Sequence, residues 1–127
     1  MQTKISEDLI DVAKPVLSIV TPSLNHGRFL RQTIESVAAQ TFRSIEHIVV
    51  DGGSSDGTVE ILKEFPHVRW ISERDEHVVE AYQKALAMAR GRYIIQCCVS
   101  DGFLDPNWFR KCIEVLEKDE EVSLVWG

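Results

Sequence analysis

The chain has 127 residues, of which 44% are hydrophobic and 27% are charged, and its formal net charge is −6. These proportions are those of an ordinary globular domain, and no apolar run approaches the ~20 residues needed to cross a bilayer. The acidic balance argues against a nucleic-acid-binding protein, because contact with phosphates needs a concentrated basic surface.

The N-terminal stretch "MQTKISEDLIDVAK" mixes charged residues with short apolar groups. It lacks the apolar core of a signal peptide. We therefore predict an N-terminal extension over residues 1–14 and one domain over residues 15–127. The same observations predict a cytoplasmic location. They are also compatible with peripheral contact at the inner face of a membrane.

Five short apolar runs predict β-strands, at residues 16–21, 46–51, 68–72, 92–99 and 122–126. The runs are rich in Val and Ile and mostly continuous, as in strands that are covered on both faces. Four amphipathic segments alternate with them, and their apolar stripes are Leu30–Ile34–Val37–Ala38, Val59–Leu62, Val78–Tyr82–Ala85–Ala89 and Phe109–Cys112–Ile113–Leu116. This alternation predicts an α/β fold of three layers, with a largely parallel, Rossmann-like sheet and helices on both faces.

Two helix boundaries are marked in the sequence. Gly91 follows Arg90, which is typical of a helix end with a cation in its last turn. Asp105 precedes Pro106, which is typical of an N-cap followed by proline at the first helical position.

Polar and acidic residues follow the first four predicted strands, in "TPSLN", "DGGSSDG", "SERDE" and "VSDG". Parallel sheets bind ligands in the crevice at the carboxyl ends of their strands. The sequence therefore predicts a ligand site at this edge of the sheet.

The aspartates at this edge allow more than one interpretation. Asp51 can accept hydrogen bonds from a base or sugar, or it can cap its own loop, and the residues alone favour neither. Asp56 and Asp105 are adequately explained as helix N-caps. Asp101 can bind a divalent cation beside a diphosphate, or it can form a simple Asp-Gly turn.

The cysteines and histidines show no pattern of a metal-binding or catalytic site. Cys97 and Cys98 are adjacent and would point to opposite faces of a strand, and Cys112 lies on an apolar helical stripe. The four histidines show no metal-ligand or catalytic-dyad spacing, and Arg74 has acidic neighbours with which it can pair. We predict structural or surface roles for all of them.

Four segments, in order along the chain, carry a resemblance to a known family. They are "VLSIVTPSLNHGRFLRQTIESVAAQTF", "EHIVVDGGSSDGT", "SERDEHVVEAYQKALAMARGRYI" and "VSDGFLDPNWF". Together they resemble the opening strand and helix, the Asp-Gly-x-Ser-x-Asp-Gly-Thr loop, the Ser-Glu-x-Asp loop and the Asp-x-Asp metal motif of family 2 glycosyltransferases. The match covers the nucleotide-sugar-binding half of the GT-A fold and runs from about Pro15 to Gly127.

The resemblance implies a role for each matched position in the donor site. Pro22 and Ser23 would line the nucleotide pocket, and Asp51 would hydrogen-bond the base edge of a UDP-linked sugar. Asp75 matches a loop acid near the donor. Ser100 is grouped with these donor-binding residues.

The resemblance also implies a metal ligand and shows three departures from the family pattern. Asp101 matches the last carboxylate of Asp-x-Asp and would bind the Mg²⁺ or Mn²⁺ ion that bridges the diphosphate. Val99 replaces the first Asp of that motif, His77 stands where glycine is usual, and Gln83 stands where asparagine is common.

The reaction that the resemblance implies is transfer of a hexosyl unit, with inversion, from a nucleotide-diphosphate sugar to an acceptor hydroxyl in polysaccharide biosynthesis. The acceptor would be a glycan or a lipid-linked molecule bound by a second half of the fold. The chain ends in "SLVWG", in a predicted strand, so we expect a fragment or a donor-binding module. No residue is predicted as the catalytic base, and a homo-oligomer is compatible with the sequence.

Two alternatives belong to other functional classes. A phosphoacceptor receiver domain has a similar length, but it needs an acidic pair after the first strand, where this chain has "TPSLN". A catalytically silent nucleotide-binding or assembly module is favoured by Val99 and by the missing acceptor half.

Overall fold

Strands and helices alternate along the chain, in a computed structural model that describes residues 14–125. Its elements are β1 (Leu17–Ser23), α1 (Gly27–Ala38), β2 (Ile45–Asp51), α2 (Thr58–Lys63), β3 (Val68–Ser72), α3 (Val78–Met88), β4 (Tyr93–Gln96) and α4 (Trp108–Lys118). The predicted extension over residues 1–14 lies outside the described residues except for Lys14.

The four strands form one parallel sheet in the order β3-β2-β1-β4. In the register of this sheet, Ser23 pairs with Asp51, and Asp51 pairs with Ser72. The carboxyl ends of β1, β2 and β3 therefore lie side by side at one edge.

Helices cover both faces of the sheet. On one face, Ala81 and Ala85 of α3 pack against Val20, Ile48 and Val50. On the other face, α1, α2 and α4 cover apolar residues of the strands, in clusters that include Leu30, Ile34, Val37, Leu62, Phe109 and Ile113. The prediction of a three-layer α/β fold with a parallel sheet is confirmed.

The fourth and fifth strand predictions need correction. The fourth strand covers Tyr93–Gln96 rather than residues 92–99. Cys97 still donates its backbone N–H to Val20, at 3.0 Å, but the chain then turns away, and Ser100 adopts a left-handed φ of 85°. Residues 122–125 form no strand, and Trp126 lies outside the described residues.

The two predicted helix boundaries are also displaced. Helix α4 begins at Trp108 with Asn107 as its N-cap, so Asp105 lies two residues before the cap, where its carboxylate accepts the backbone N–H of Asn107 at 2.8 Å. Helix α3 ends at Met88, so Gly91 is not its end. Gly91 instead lies against β1, where a Cβ on it would be 2.6 Å from the backbone N of Ser18.

Within residues 14–125, no helix combines the length and the apolar character that crossing a membrane requires.

Candidate functional site

The loops after β1 and β2 are joined to each other by hydrogen bonds. Asn25, in a left-handed conformation with φ 53°, accepts the N–H of Ser55 on its side chain at 2.9 Å and donates its own N–H to Ser54 Oγ at 2.8 Å. Asp56 Oδ2 accepts the N–H of Gly27, the first residue of α1, at 2.9 Å. These contacts make one unit of the two loops.

Asp51 is completely buried and its carboxylate holds the loop that follows it. It accepts the N–H groups of Gly53 at 3.2 Å and Ser54 at 2.8 Å, together with the hydroxyl of Ser54. It also accepts the hydroxyl of Ser72 from β3 at 2.7 Å. These are the contacts of the loop-capping interpretation, and the predicted contact between Asp51 and a base stays a prediction.

A cavity of about 410 Å³ opens between the ends of β1 and β4 and the start of α3. This volume lies within the range of small-molecule sites. Its lining consists of Pro22, Ser23, Leu24, His26, Gly52, Asp75, Glu76, His77, Val78, Ala81, Tyr82, Cys98 and Val99. Three of the predicted site residues, Pro22, Ser23 and Asp75, are thus brought together here.

Ser23 contributes a buried hydroxyl to the cavity wall. The residue is 6% exposed, and its Oγ has no hydrogen-bond partner within residues 14–125. A buried polar atom that stays unpaired costs about 1–3 kcal/mol, so such atoms are usually satisfied by a ligand, an ion or water. The Ser23 hydroxyl is therefore available to a molecule bound in the cavity.

Asp75 brings a carboxylate into the same wall with only 8% of its side chain exposed. One of its oxygens, Oδ1, forms an ion pair with Lys84 of α3. The other oxygen, Oδ2, lies beside Gly52, where an added Cβ would stand 3.4 Å from it. The carboxylate thus has one oxygen engaged by a cation and the other beside Gly52, which also lines the cavity.

Ser100 and Asp101 are exposed and follow β4, outside the cavity lining given above. Their backbone is anchored to α1, because Thr33 Oγ1 accepts the N–H of Ser100 at 3.2 Å and donates to the carbonyl of Asp101 at 2.9 Å. Asp101 thus lies outside the cavity lining, whereas Cys98 and Val99, three and two residues before it, belong to that lining. Among the residues that the structure describes, no group of three or more His, Cys, Asp or Glu side chains is arranged to hold a metal ion.

Val99 takes the place of the missing first acid of the metal motif and is 6% exposed. It packs in the apolar cluster that includes Leu30, Ile34 and Leu62, and it also touches the cavity. Val99 is therefore a residue of the hydrophobic core.

Sequence reasoning did not place Tyr82 and Cys98 in the site. Tyr82 was assigned to an apolar helical stripe, but its Oη lies 4.0 Å from Cys98 Sγ in the cavity wall. Burial, together with the neighbouring thiol, raises the pKa of Tyr82 to about 12, so the phenol stays protonated. The sequence did offer one indication of their role. The apolar stripe that contains Tyr82 begins directly after the loop that follows β3, at the polar edge of the sheet.

His47 and Thr21 form a buried polar pair in the sheet. Its Nε2 lies 2.8 Å from Thr21 Oγ1, and its Nδ1 has no hydrogen-bond partner within the described range. Burial lowers the pKa of His47 to about 4, so the ring is neutral at physiological pH. It is a structural residue of β2 rather than part of the cavity wall.

Comparisons of the sequence place this chain among known proteins. A family model described as "Glycosyl transferase family 2" matches residues 18–126. Over 116 residues, the chain is 34% identical to a chondroitin synthase of Escherichia coli and 36% identical to an uncharacterized glycosyltransferase of Mycobacterium tuberculosis. These alignments cover 88% and 89% of this chain but only 17% and 44% of the two relatives.

Solved structures share the fold. The Staphylococcus aureus TarS fragment 1–349 in complex with UDP has a TM-score of 0.70 at 19% identity, over 80% of this chain and 32% of that one. The mannosyltransferase PcManGT of Pyrobaculum calidifontis, in complex with GDP-Man and Mn²⁺, has a TM-score of 0.74 at 18% identity, over 81% and 32%.

Proposed function

Since this chain belongs to glycosyl transferase family 2, we propose that its cavity binds the nucleotide part of a nucleotide-diphosphate sugar, the donor of a glycosyltransferase reaction. The observation that carries this proposal is the buried, unpartnered hydroxyl of Ser23 in the cavity wall. A nucleobase edge offers hydrogen-bond groups of the kind that such a hydroxyl needs.

The chemistry of the wall supports a UDP-linked donor. A uracil ring presents an N–H between two carbonyl groups, and Ser23 and Asp75 together offer a hydroxyl donor and a carboxylate acceptor. Pro22, Ala81 and Val78 supply apolar surface of the kind that covers the faces of a planar ring. In this proposal Asp51 acts through the loop it holds, because that loop carries Gly52 to the cavity. A direct contact between Asp51 and the base would use Oδ1, which accepts one hydrogen bond, because Oδ2 already accepts three.

We further propose that Asp101 is this chain's ligand for a divalent cation, Mg²⁺ or Mn²⁺. Its carboxylate is exposed, and its main chain is fixed through Thr33. Magnesium sites are commonly completed by one or two carboxylates, the phosphates of the substrate and water, so a single protein oxygen ligand fits this mode. When bound, such an ion supplies charge compensation for the departing diphosphate.

The reaction that we propose for the complete protein is transfer of the sugar, with inversion, to the hydroxyl of a glycan or lipid-linked acceptor. The chain spans 17% and 44% of the relatives cited above. We propose that the general base and the acceptor site lie in regions outside it. The residues of this chain would bind and orient the donor.

A catalytically silent nucleotide-binding module is the second candidate, and one observation favours it. Val99 is a core residue at the position where the family motif has its first acid, so the chain lacks a carboxylate there. A silent module would bind nucleotide without any contribution from a metal.

Thermal unfolding with UDP, in the presence and absence of Mn²⁺, tests the proposal. Ligand at about 100 times its Kd should stabilise the folded chain by about 2.7 kcal/mol, which raises the unfolding temperature by several degrees. Asp101→Ala should abolish the Mn²⁺-dependent part of the increase. Asp105→Ala, which removes a second carboxylate from the same loop, is the matched control and should retain it.

The outcomes separate the candidates. No increase with UDP in a folded sample would overturn donor binding. An increase that is identical with and without Mn²⁺ would favour the silent module.

A further inference from the structure

The carboxylate of Asp75 is held in an asymmetric way. Its Oδ1 contacts the ammonium group of Lys84, whereas its Oδ2 lies next to Gly52 at the cavity. Since only 8% of the side chain is exposed, the surrounding protein rather than water determines its orientation.

Lys84 stands behind this carboxylate and outside the residues that line the cavity. Its Nζ bridges two acids, because it also lies 2.9 Å from Glu73 Oε1. The hydrogen bonds to Asp75 and then to Glu73 raise the pKa of Lys84, so the ammonium group stays charged at neutral pH. The lysine side chain is 26% exposed, whereas Glu73 is 59% exposed.

We infer that Lys84 is a positioning residue of the donor site, which holds Asp75 Oδ1 so that Oδ2 is presented to the nucleotide. This inference rests on the proposed function, because it assumes that a nucleotide binds in the cavity. Lys84 would act entirely through Asp75, without touching the donor itself.

Two physical effects support this role. First, an ion pair fixes the rotation of the carboxylate, and a hydrogen bond to a charged group is stronger than one between neutral groups. Second, the net charge of the chain is −6, and an uncompensated buried carboxylate in the cavity would repel a negatively charged donor. Lys84 offsets that charge without placing a cation in the cavity.

The test is a double-mutant cycle on the Kd of UDP, measured by calorimetry with the 127-residue chain. We expect Lys84→Met to weaken UDP binding about tenfold, which corresponds to about 1.4 kcal/mol. Asp75→Asn should weaken it as well, and the double variant should bind no more weakly than Asp75→Asn alone. Lys84→Arg keeps the cation and should retain most of the affinity.

Lys111→Met is the control, because Lys111 also pairs with an aspartate, Asp105, but at a more exposed position outside the cavity lining. It should leave the Kd of UDP unchanged. If Lys84→Met does not fold, Lys84→Gln takes its place in the cycle.

Several results would overturn the inference. A folded Lys84→Met variant that binds UDP as the wild type does would show that the ion pair is only structural. Additive losses in the double variant would show that Lys84 does not act through Asp75. If the wild type itself bound no UDP while folded, the proposed function would fail and the inference with it, whereas the first two results leave the proposed function intact.

Discussion

Replacement of Val99 by the acid of the family motif tests whether this position belongs to the core or to the donor site. Val99 is 6% exposed among apolar side chains. Val99→Asp forfeits about 1.5–3 kcal/mol of side-chain burial. A carboxylate without a partner costs about 1–3 kcal/mol more. We expect a total loss of about 2.5–6 kcal/mol, which is a large part of the 5–15 kcal/mol typical of a domain.

Urea unfolding at pH 7 measures this loss, with Val99→Asn as the matched control. Burial raises the pKa of a new carboxyl group, so the folded state would take up a proton more readily than the unfolded one. The extra loss of Val99→Asp relative to Val99→Asn should therefore shrink as the pH falls from 7 toward 4. A Val99→Asp variant that is as stable as Val99→Asn at pH 7, and that binds UDP with Mn²⁺ more tightly than the wild type, would refute the core placement.

Three further predictions concern stability and binding. The pKa of His47 is about 4 when folded against an ordinary value of 6.5, so the unfolded state binds more protons between these values. Stability should therefore fall by about 3 kcal/mol as the pH drops through that window, and His47→Asn should flatten the slope; an equal slope in urea titrations would contradict this. Gly91→Ala brings a Cβ within 2.6 Å of Ser18 and should cost about 1–3 kcal/mol, so an unchanged urea midpoint would disprove the close approach. Gly52→Ala introduces contacts no shorter than 3.4 Å and should bind UDP, whereas Gly52→Leu extends into the cavity and should not; calorimetry showing equal binding by both variants would place the ligand elsewhere.

Sequence patterns predicted two neighbouring strands of the sheet, β2 and β3, to within one residue. The third strand was predicted at residues 68–72 and is observed as Val68–Ser72, and the second was predicted only one residue short. Both contain the β-branched residues Val and Ile, and β3 also contains Trp70. The position of the cavity followed from parallel topology, because the carboxyl ends of aligned strands meet at one edge.

Apolar character alone does not identify a strand where a loop is buried. Cys97 and Val99 are buried although they follow the last residue of β4, since they pack into the core from the chain that leaves the sheet. A run of apolar residues does not distinguish a strand from a buried turn. Ser100 adopts a left-handed conformation, which is unusual for serine. The amino-acid composition of this segment gives no indication of it.

The contacts of individual site residues depended on partners far along the chain. The sequence allowed Asp51 either to cap its loop or to face a ligand. One of the hydrogen bonds that it makes comes from Ser72, which lies 21 residues away in the sequence. The ion pair between Asp75 and Lys84 could not be predicted either, because the helix that contains the lysine was recognised only by its apolar stripe. Neither the turn residues after a strand nor the apolar stripe of a helix specifies which polar side chains contact each other.

The hydrogen bonds between Asn25, Ser54 and Ser55, and between Gly27 and Asp56, have a consequence for protein engineering. A segment transplanted from another enzyme after β1 would lose its counterpart after β2, leaving backbone amides without acceptors. Redesign of the ligand preference of the cavity therefore calls for exchanging both segments together, as a matched cassette.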